Sequence, residues 1–463
     1  MNTRVLRIEL RRSVAPWAGL VVLTTALAFL YLLNGAWWRG TTAWTAQWTS
    51  LAMWTRSLLF YLWPIAVGLG ALQGLRDHRS KMSELLTSTP RPARHRAAVL
   101  AGTTALTLAS AFALLVLVGG VQVLAHTGYN HLGWLPISLV GALSLVAGAV
   151  LGMGAARALP SALTPPALAV CAFTFTALMY MSSGRAERVT ETGITLTEPE
   201  PFSLLSPVVA DVRDVLVTLS AAVHVGQTVW LLGMAATGFA LLVAATPRAR
   251  LTALTPLLAG GAVAVLVLPS DPSRIYVVDA DAAKQVCDGP VCVTTAHQDR
   301  LAGLAGPGKE ALRLLHGALG GEAPVSVREN TAVLPDGSTP KWSRTTVLLD
   351  FDNDIVAAAK GEELTRALIA KGIVPGCSPV GWSGTGGDVF AQTITAGWVL
   401  GDLKQLAGAS YMSSDPLAES RPVWKKLMAL PRAEQLARIN ATRDAALSCE
   451  VDAFEVLSGG AAQ

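Results

Sequence analysis

Residues 97–125 read AAVLAGTTALTLASAFALLVLVGGVQVLA, which is 29 consecutive positions without a charged side chain. A helix needs about 20 apolar residues to cross the ~30 Å hydrocarbon core of a bilayer, so this stretch predicts a membrane-spanning helix. Further stretches of similar composition raise the number of predicted spans to seven, which indicates a polytopic α-helical membrane protein. In chain order, the seven are residues 17–36, 57–75, 97–125, 134–156, 163–181, 225–246 and 251–269.

The composition of the whole chain agrees with this prediction. Of its 463 residues, 52% are hydrophobic and 15% are charged, whereas soluble domains carry roughly 25% charged residues. These proportions exclude a disordered protein, a nucleic-acid-binding module and an ordinary soluble enzyme. Residues 1–269 carry 18 Lys and Arg against 9 Asp and Glu, and residues 270–463 carry 18 against 23. Because the two parts have net charges of opposite sign, we expect them to face different environments.

Basic residues predict the orientation, because loops that stay in the cytoplasm are enriched in Lys and Arg. One set of loops carries 13 basic residues against 3 acidic ones, and the other set carries 5 against 6. We therefore expect the first set to be cytoplasmic, with the N-terminus inside and residues 270–463 outside the plasma membrane. The basic segment 1–13 is either an interfacial helix in the headgroup plane or a tail that only orients the first span. The 13 basic residues are Arg4, Arg7, Arg11, Arg12, Arg76, Arg79, Lys81, Arg91, Arg94, Arg96, Arg157, Arg248 and Arg250.

Residues 270–463 have the length and charge content of a separate soluble domain. Short β-rich runs alternate there with helical patterns, which predicts an α/β or α+β fold on the extracytoplasmic side. The β-rich runs are residues 275–280, 291–296, 325–328 and 345–351, and the helical patterns are residues 309–319, 362–371, 388–407 and 431–448.

Four of the five cysteines lie in this C-terminal part of the chain. An even number there is typical of disulfides formed in an oxidising compartment. Of the three possible connectivities, we favour Cys287 with Cys292 across a Gly-Pro turn, and Cys377 with Cys449, which ties the last long helix to the domain. Zinc is the competing interpretation, but the pattern CDGPVC has no second closely spaced pair of ligands. The fifth cysteine, Cys171, is interpreted as a small buried apolar residue of the fifth span.

No motif in the sequence predicts a catalytic or metal site. GLAGPGKE at residues 303–310 resembles a phosphate-binding loop, but Glu310 replaces the hydroxyl that holds magnesium, so a glycine-rich helix start is the better interpretation. DFDNDI at residues 350–355 lacks the glycine and glutamate of a calcium loop and predicts the end of a strand followed by a turn. His297 is interpreted as a structural or surface histidine. Arg56 is expected at the end of a span, which leaves the interior of all seven spans without Asp, Glu, Lys or Arg.

The cytoplasmic loop RDHRSKMSELLTSTPRPARHR, residues 76–96, is the most informative segment. Met82, Leu85 and Leu86 recur at helical spacing among charged residues, which favours a short amphipathic helix that docks on a partner. The alternative is a basic anchor that happens to contain one helical turn. The residues predicted to make the contact are Arg76, Asp77, Arg79, Lys81, Met82, Glu84, Leu85 and Leu86.

Together with the basic N-terminus and the first helical hairpin, this loop resembles the permease subunits of ABC-2-type ATP-driven transporters, particularly the actinobacterial kind. The similarity covers roughly residues 1–246 and includes the pattern R-D-x-R-x-x-x-x-E-L-L-x-x-T-P at residues 76–90. By this resemblance, the loop is the coupling helix that contacts the ATPase. The resemblance also implies a partly inserted helical segment before the sixth span, for which residues 202–224 are the candidate, broken at Pro207. The seventh span and the outer domain depart from the family, whose simplest members end inside after six spans.

The resemblance implies the transmembrane subunit of an ABC transporter, an exporter that moves its substrate by alternating access. A separate ABC ATPase subunit would bind ATP and magnesium, and no cofactor is expected in this chain. The other implied partners are a second permease chain, which would form a homodimer or heterodimer, and membrane lipids, but not nucleic acid. The alternative function is a membrane-anchored receptor or interaction protein whose outer domain binds a ligand without transport. The expected domain organisation is an interfacial helix at 1–13, a six-span core at 14–246 with the coupling loop at 76–96 and an outer segment at 183–224, a seventh helix at 247–269 and the disulfide-containing outer domain at 270–463.

Overall fold

The computed structural model describes residues 15–32, 43–79, 92–182, 186–189, 195–198, 201–209, 215–271, 274–332, 339–351, 353–378, 386–409 and 415–460. The chain divides into two compact units. The first unit consists of Met1–Ala186 and Thr197–Val278, and the second consists of Glu187–Leu196 and Asp279–Gln463. The division before the C-terminal part therefore falls at Asp279 rather than at residue 270.

The first unit is built from helices, six of which are long and apolar enough to cross a membrane. A bent pair of shorter helices forms a seventh candidate span. This mostly helical architecture agrees with the predicted polytopic α-helical protein. The helices are α1 (Ala15–Leu32), α2 (Trp48–Ser57), α3 (Leu59–Gly74), α4 (Arg76–Arg79), α5 (Ala93–His126), α6 (Trp134–Ala158), α7 (Thr164–Ser182), α8 (Ala221–Val243), α9 (Pro247–Thr252) and α10 (Thr255–Val267), with α9 and α10 together making one of the six.

The second predicted span differs from the structure in its extent. The sequence predicts one helix over residues 57–75, but helices α2 and α3 meet at Leu58 with their axes bent by 52°. Because α2 extends the span by one bent segment, Arg56 lies inside the pair rather than at its end, and it is fully buried. The expectation that no Asp, Glu, Lys or Arg lies within a span is therefore wrong at this position.

Glycines allow α3, α6 and α8 to pack with their backbones in direct contact. A Cβ atom at Gly70 of α3 would lie only 2.1 Å from the carbonyl oxygen of Ala149 in α6. A Cβ atom at Gly154 of α6 would lie 2.2 Å from the carbonyl oxygen of Gly238 in α8. Small residues favour helix association within a membrane, because close approach increases van der Waals contact. These three helices therefore form the closely packed centre of the first unit.

Helices α8 and α10 form a helical hairpin around residues 247–250, the short gap between the sixth and seventh predicted spans. The side chain of Thr246 accepts a hydrogen bond from the backbone N–H of Ala249 at 3.2 Å, and Pro247 occupies the first helical position. Both features are typical of a helix N-terminus. Gly260 of α10 approaches Gly233 of α8, with 3.1 Å between the position of its missing Cβ and the Gly233 Cα.

The segment between α7 and α8 is not a continuous helix. It contains strands β1 (Ala186–Val189) and β2 (Thr195–Glu198), which pair with each other, a 3₁₀ helix (Pro201–Leu205) and strand β3 (Val217–Leu219). Strand β3 pairs antiparallel with β4 (Tyr276–Val278). This pairing explains why the β-rich run predicted for the C-terminal domain at residues 275–280 belongs largely to the first unit.

The second unit combines a four-stranded sheet with seven described helices. Strand β5 (Gln285–Asp288) is antiparallel to β6 (Val291–Thr294), whereas β6, β7 (Ser326–Glu329) and β8 (Thr346–Leu349) are parallel neighbours. Parallel strands need a crossover connection, and helix α11 supplies one between β6 and β7. The helices are α11 (Leu301–Leu319), α12 (Asp354–Ala358), α13 (Glu362–Ile373), α14 (Gly386–Leu400), α15 (Pro416–Met428), α16 (Arg432–Ser448) and α17 (Ala453–Ser458).

The core of the second unit lies between this sheet and its helices. Val293 of β6 and Val347 of β8 are buried in one cluster with Leu315 of α11 and Ile369 of α13. Four of the predicted helices overlap α11, α13, α14 and α16, and three predicted β-rich runs overlap β6, β7 and β8. The β-rich runs and helical patterns of the sequence therefore identify the elements that build this core.

Candidate functional site

Arg56 is the only charged side chain that is buried within the described part of the first unit, where none of its surface is exposed. It lies in the last turn of α2, next to the bend that leads into α3. A buried charge costs free energy unless its donors find acceptors, and ionisable residues within spans mark functional sites by default. We therefore take the surroundings of Arg56 as the candidate site.

The guanidinium of Arg56 donates hydrogen bonds to three other parts of the first unit. Nε and Nη2 both donate to the carbonyl oxygen of Pro207, at 2.9 and 2.7 Å. Nη2 also donates to Gln227 Oε1 of α8 at 2.9 Å, and Nη1 donates to the carbonyl oxygen of Ile137 in α6 at 3.4 Å. The planar, forked arrangement of five N–H groups makes arginine suited to such convergent acceptors. Neutral oxygens therefore solvate this cation, and none of the described carboxylates forms an ion pair with it.

Two further side chains, both on α8, hold the segment that contains Pro207. Gln227 Nε2 donates to the carbonyl oxygens of Leu204 and Ser206, at 3.0 and 3.2 Å. Trp230 Nε1 donates to the carbonyl oxygen of Leu205 at 2.9 Å. Residues 201–209, which we call the clamped segment, are thus fixed through four consecutive carbonyl groups. Such side-chain donors replace the backbone partners that a short 3₁₀ helix cannot supply.

Apolar packing completes the surroundings of Arg56. Leu204 of the clamped segment is buried in one cluster with Met53 of α2 and Ile137 of α6. Gly141 provides space for the arginine side chain, because a Cβ atom at that position would lie 3.1 Å from Arg56 Cδ. The low polarity of this cluster strengthens the hydrogen bonds within it and makes their loss costly.

Three of the eight predicted coupling residues lie at the opposite end of α3 from Arg56. Arg76, Asp77 and Arg79 are in α4, which directly follows α3. The other five predicted coupling residues, Lys81, Met82, Glu84, Leu85 and Leu86, lie outside the described residues. Helix α3 has 16 residues and is therefore about 24 Å long. It separates Arg56 from the start of the coupling loop by this length, and it is the element that connects them.

Helix α5 begins on the other side of the coupling loop. Its 34 residues correspond to about 51 Å, which exceeds the ~30 Å hydrocarbon thickness of a bilayer. Arg94 and His95 in its first turn are exposed. In contrast, Arg96 keeps Nε and Nη1 buried without a hydrogen-bond partner.

Both predicted disulfides are present in the second unit. Cys287 bonds to Cys292 between directly opposed positions of β5 and β6. Cys377 bonds to Cys449, which follows the last residue of α16 in the left-handed conformation (φ 56°). The favoured connectivity is therefore confirmed. Cys171 differs from its prediction, because α7 presents it on an exposed face instead of packing it against a neighbouring helix.

A buried polar group in the second unit centres on Glu329 at the end of β7. Glu329 Oε2 accepts hydrogen bonds from the backbone N–H and the Oγ1 of Thr294, at 2.7 and 2.8 Å. Glu329 Oε1 lies 2.6 Å from His297 Nδ1, and the His297 ring packs edge-on against Phe351. The prediction of a structural histidine agrees with this buried position. No local sequence pattern indicates that Glu329 is buried, because its burial depends on partners from β6 and the following turn.

A second polar cluster lies near the Cys377–Cys449 disulfide. Lys371 Nζ of α13 donates to the carbonyl oxygen of Pro375 at 3.0 Å. Burial lowers the pKa of Lys371 to about 8, although the Asp388 carboxylate acts in the opposite direction. Asp388 in turn accepts a hydrogen bond from the backbone N–H of Cys377 at 3.1 Å. These contacts fix the chain on one side of the disulfide.

The two motifs that resemble ligand-binding loops have structural roles in their described parts. Residues 303–310 lie within α11, and Lys309 Nζ forms an ion pair with Asp288 Oδ1 at 2.7 Å. The helix begins at Leu301, two residues before the predicted start. Asp350 follows strand β8 and Asp354 starts α12, so the aspartates belong to a strand end and a helix start. Within the part of the chain that the structure describes, no three His, Cys, Asp or Glu side chains are grouped as metal ligands would be.

The fold and the site define the class of this protein as a polytopic helical protein, with a buried arginine among its candidate membrane helices and two disulfides in its second unit. No protein-family model, no curated protein and no solved structure matches the chain.

Proposed function

We propose that this chain is the transmembrane subunit of an ATP-driven ABC transporter. It exports a substrate by alternating access, and a separate ATPase subunit supplies the energy. The observation that carries the proposal is the continuity of α3, which runs from the bend at Leu58, next to Arg56, to the start of the coupling loop at Arg76. This helix, which contains Pro64, therefore links the segment that would contact an ATPase to the polar site between the helices.

The packing of α3 suits it for transmitting a displacement. Its backbone contacts α6 at Gly70 and Gly74, where added Cβ atoms would lie 2.1 and 2.3 Å from carbonyl oxygens. Contacts of this kind leave no compressible layer of side chains between the two helices. A push on the α4 end of α3 is therefore passed along both helices rather than absorbed locally.

The proposed ATPase contact is the cytoplasmic loop at residues 76–96. It combines the predicted amphipathic turn with basic residues at both ends, and α5 is long enough to carry its basic first turns beyond the hydrocarbon core. ATP and magnesium bind to the ATPase in this proposal, not to the permease chain.

A second permease chain completes the proposed transporter. Helices α1 and α7 are less than half buried within the chain, which leaves apolar side chains for a partner helix or for lipid. An aromatic group lies on these helices and on α3, where Phe29 stacks on Tyr61 with ring centroids 4.9 Å apart and Phe60 contacts Phe173 edge-on at 5.4 Å. We propose this aromatic face for the contact between two permease chains, with membrane lipids covering the remaining exposed apolar residues.

In this proposal the N-terminus is cytoplasmic in the plasma membrane, and the C-terminal domain is extracellular. The excess of basic residues in one set of loops supports the orientation. Two disulfides in the second unit are compatible with an oxidising compartment for that unit. The outer domain would then cap the exit or receive the substrate.

Co-purification tests the proposal against the alternative of a receptor without transport. We expect the full chain, solubilised in mild detergent, to retain an ATPase subunit, and we expect Glu84→Lys in the coupling loop to abolish its association or its coupled ATP hydrolysis. Glu419→Lys is the matched control, because Glu419 is an exposed residue of α15 in the second unit. If no ATPase is retained, or if both variants behave like the unmodified chain, the receptor interpretation replaces the transporter.

A further inference from the structure

We propose that Arg56 is the positioning residue of a gate, in which it latches the clamped segment against the bent pair α2–α3 until α3 moves. This inference rests on the proposed transport function, because it assigns the moving part of that transporter. It concerns a relationship that no sequence motif indicates.

Four consecutive carbonyl groups of the clamped segment depend on side-chain donors. The carbonyl oxygens of residues 204–207 accept hydrogen bonds from Gln227, Trp230, Gln227 and Arg56, respectively. A backbone group without a partner is costly in an apolar environment. The clamped segment therefore keeps its position only while these side-chain donors are in place.

These side-chain donors come from two different parts of the fold. Gln227 and Trp230 both belong to α8, so they keep the segment attached to that helix. Arg56 is the only side chain among the described residues that hydrogen-bonds the carbonyls of the clamped segment from the α2–α3 side. A displacement of α3 relative to α8 would therefore break the two bonds from Arg56 to Pro207 and leave the bonds from α8 intact.

The contacts of α6 differ between its start and its later turns. Near its start, Ile137 and Gly141 contact Arg56 through a side chain that can change its partners. Further along, residues 149–154 contact α3 and α8 through backbone atoms at glycines, where no side chain can rearrange. The glycine contacts are thus suited to be a pivot, and the Arg56 contacts are suited to separate.

The chemistry of the latch explains why it can open. Guanidinium donors exchange carbonyl acceptors for water without breaking a covalent bond, and no carboxylate of the described residues holds Arg56 in place as an ion pair. Each hydrogen bond from a charged donor to a neutral acceptor is strong enough to bias the closed state, yet is within the range that nucleotide binding can overcome. A permanent structural contact, which we call a staple, would form the same hydrogen bonds but would keep them in every state of the transporter.

Cysteine accessibility distinguishes a latch from a staple. Ser206 is buried, with 3% of its surface exposed, and Ser206→Cys in a Cys171→Ser background provides a reporter for a membrane-impermeant maleimide. The full chain, reconstituted with its ATPase, is labelled with and without ATP. We expect slow labelling without nucleotide, faster labelling with ATP, and fast labelling in both conditions once Arg56→Gln is added. The increase without nucleotide should be at least about tenfold, since each charged-donor hydrogen bond contributes at least that factor.

Three controls keep the outcome interpretable. Arg274→Gln removes an exposed arginine of the first unit and should leave labelling unchanged. Ser144→Cys on α6, which is fully buried, should remain unlabelled, and its labelling in Arg56→Gln would show general unfolding of that variant. In that case Arg56→Lys is used in place of Arg56→Gln. Its single ammonium group should give an intermediate rate of labelling of Ser206→Cys without ATP.

The latch is overturned if Arg56→Gln and Arg56→Lys label at the rate of the unmodified reporter. It is also overturned if ATP accelerates labelling by the same factor with and without Arg56, because Arg56 is then a staple only. If no ATPase can be co-purified, the proposed function fails by itself, and the gate assigned to it fails with it. A retained ATPase with Arg56-independent labelling removes only the latch.

Discussion

Arg56 and Pro207 are 151 positions apart in the chain, yet two nitrogens of the Arg56 guanidinium donate to one carbonyl oxygen of Pro207 at 2.9 and 2.7 Å. This contact joins the bend of the second span to the irregular segment before α8. Both parts depart from regular helix, and their polar groups are complementary. The bend places a buried cation among the helices. The irregular segment supplies a carbonyl oxygen, that of Pro207, which accepts hydrogen bonds from this cation.

Gly141→Val should destabilise the first unit by displacing Arg56. An added Cβ would lie 2.7 Å from Phe112 Cζ and 3.1 Å from Arg56 Cδ, and such overpacking typically costs about 1–3 kcal/mol. We expect a lower melting temperature of the purified chain in detergent, and faster labelling of the Ser206→Cys reporter. Gly102→Val in α5 is the matched control, because a Cβ there meets no atom within 4 Å. Equal effects of the two variants would contradict the proposed role of Gly141.

Removal of the two disulfides should have unequal effects on the second unit. The Cys377–Cys449 bond closes a loop with a sequence separation of 72, and the Cys287–Cys292 bond one of 5. In the chain-entropy account these loops correspond to roughly 4 and 2 kcal/mol of stabilisation. We expect Cys377→Ser with Cys449→Ser to lower the resistance of the second unit to urea more than Cys287→Ser with Cys292→Ser, measured by pulse proteolysis of the full chain. Non-reducing mass spectrometry checks the pairing itself, and four free thiols would refute it.

Glu329→Ala should be one of the most destabilising single changes in the second unit. It leaves the backbone N–H and the hydroxyl of Thr294 buried without their acceptor, and each unsatisfied buried donor costs about 1–3 kcal/mol. We expect a clear decrease in the urea midpoint of the second unit, and a smaller decrease for Glu329→Gln, which retains one acceptor oxygen. Glu322→Ala serves as the surface control, because Glu322 and its partner Arg344 are both more than half exposed. Equal midpoints for the Glu329 and Glu322 variants would show that the buried group contributes little.

The stability of the second unit should rise with pH between about 8 and 10.5, through Lys371. Burial lowers the pKa of this lysine from 10.5 to about 8 in the folded chain. Within that interval the unfolded chain binds more protons at this position than the folded chain, so stability increases as the pH rises. Below pH 8 both states are protonated, and the cost of burying the charge is present in full. Pulse proteolysis at pH 7 and pH 9.5 measures the difference.

Lys371→Met is the control for this pH dependence. It keeps most of the buried aliphatic chain and removes the ammonium group, so the rise between pH 7 and pH 9.5 should become smaller. An unchanged rise in Lys371→Met would assign the dependence to another group.

Much of the architecture could be predicted from local patterns. The apolar stretches identify the candidate spans because about 20 residues without charge have few other uses. The β-rich runs around Val293 and Val347 similarly indicate two strands of the sheet. The pairing of Cys287 with Cys292 could be favoured because a Gly-Pro turn lies between them in the sequence.

The candidate site could not be predicted in this way. Arg56 looks like an end residue when hydropathy alone defines the span, because α2 contains Thr49, Ser50 and Thr55 and does not resemble a membrane helix. The burial of Glu329 likewise depends on Thr294 and His297, which belong to other elements. No local pattern reports the acceptor that a distant segment will provide.

The sequence by itself determined which segments are apolar helices and which have the charge content of a soluble domain. It also favoured the pairing of Cys287 with Cys292 across their Gly-Pro turn. These properties depend on the solvation of single residues and on contacts between near neighbours in the chain. Only the tertiary structure decided that the second span is bent, that Arg56 is buried, and that residues 204–207 depend on side chains of α2 and α8. The reason is physical, because a buried polar group is stable only when its partners converge from several elements, and that convergence exists only in the folded chain.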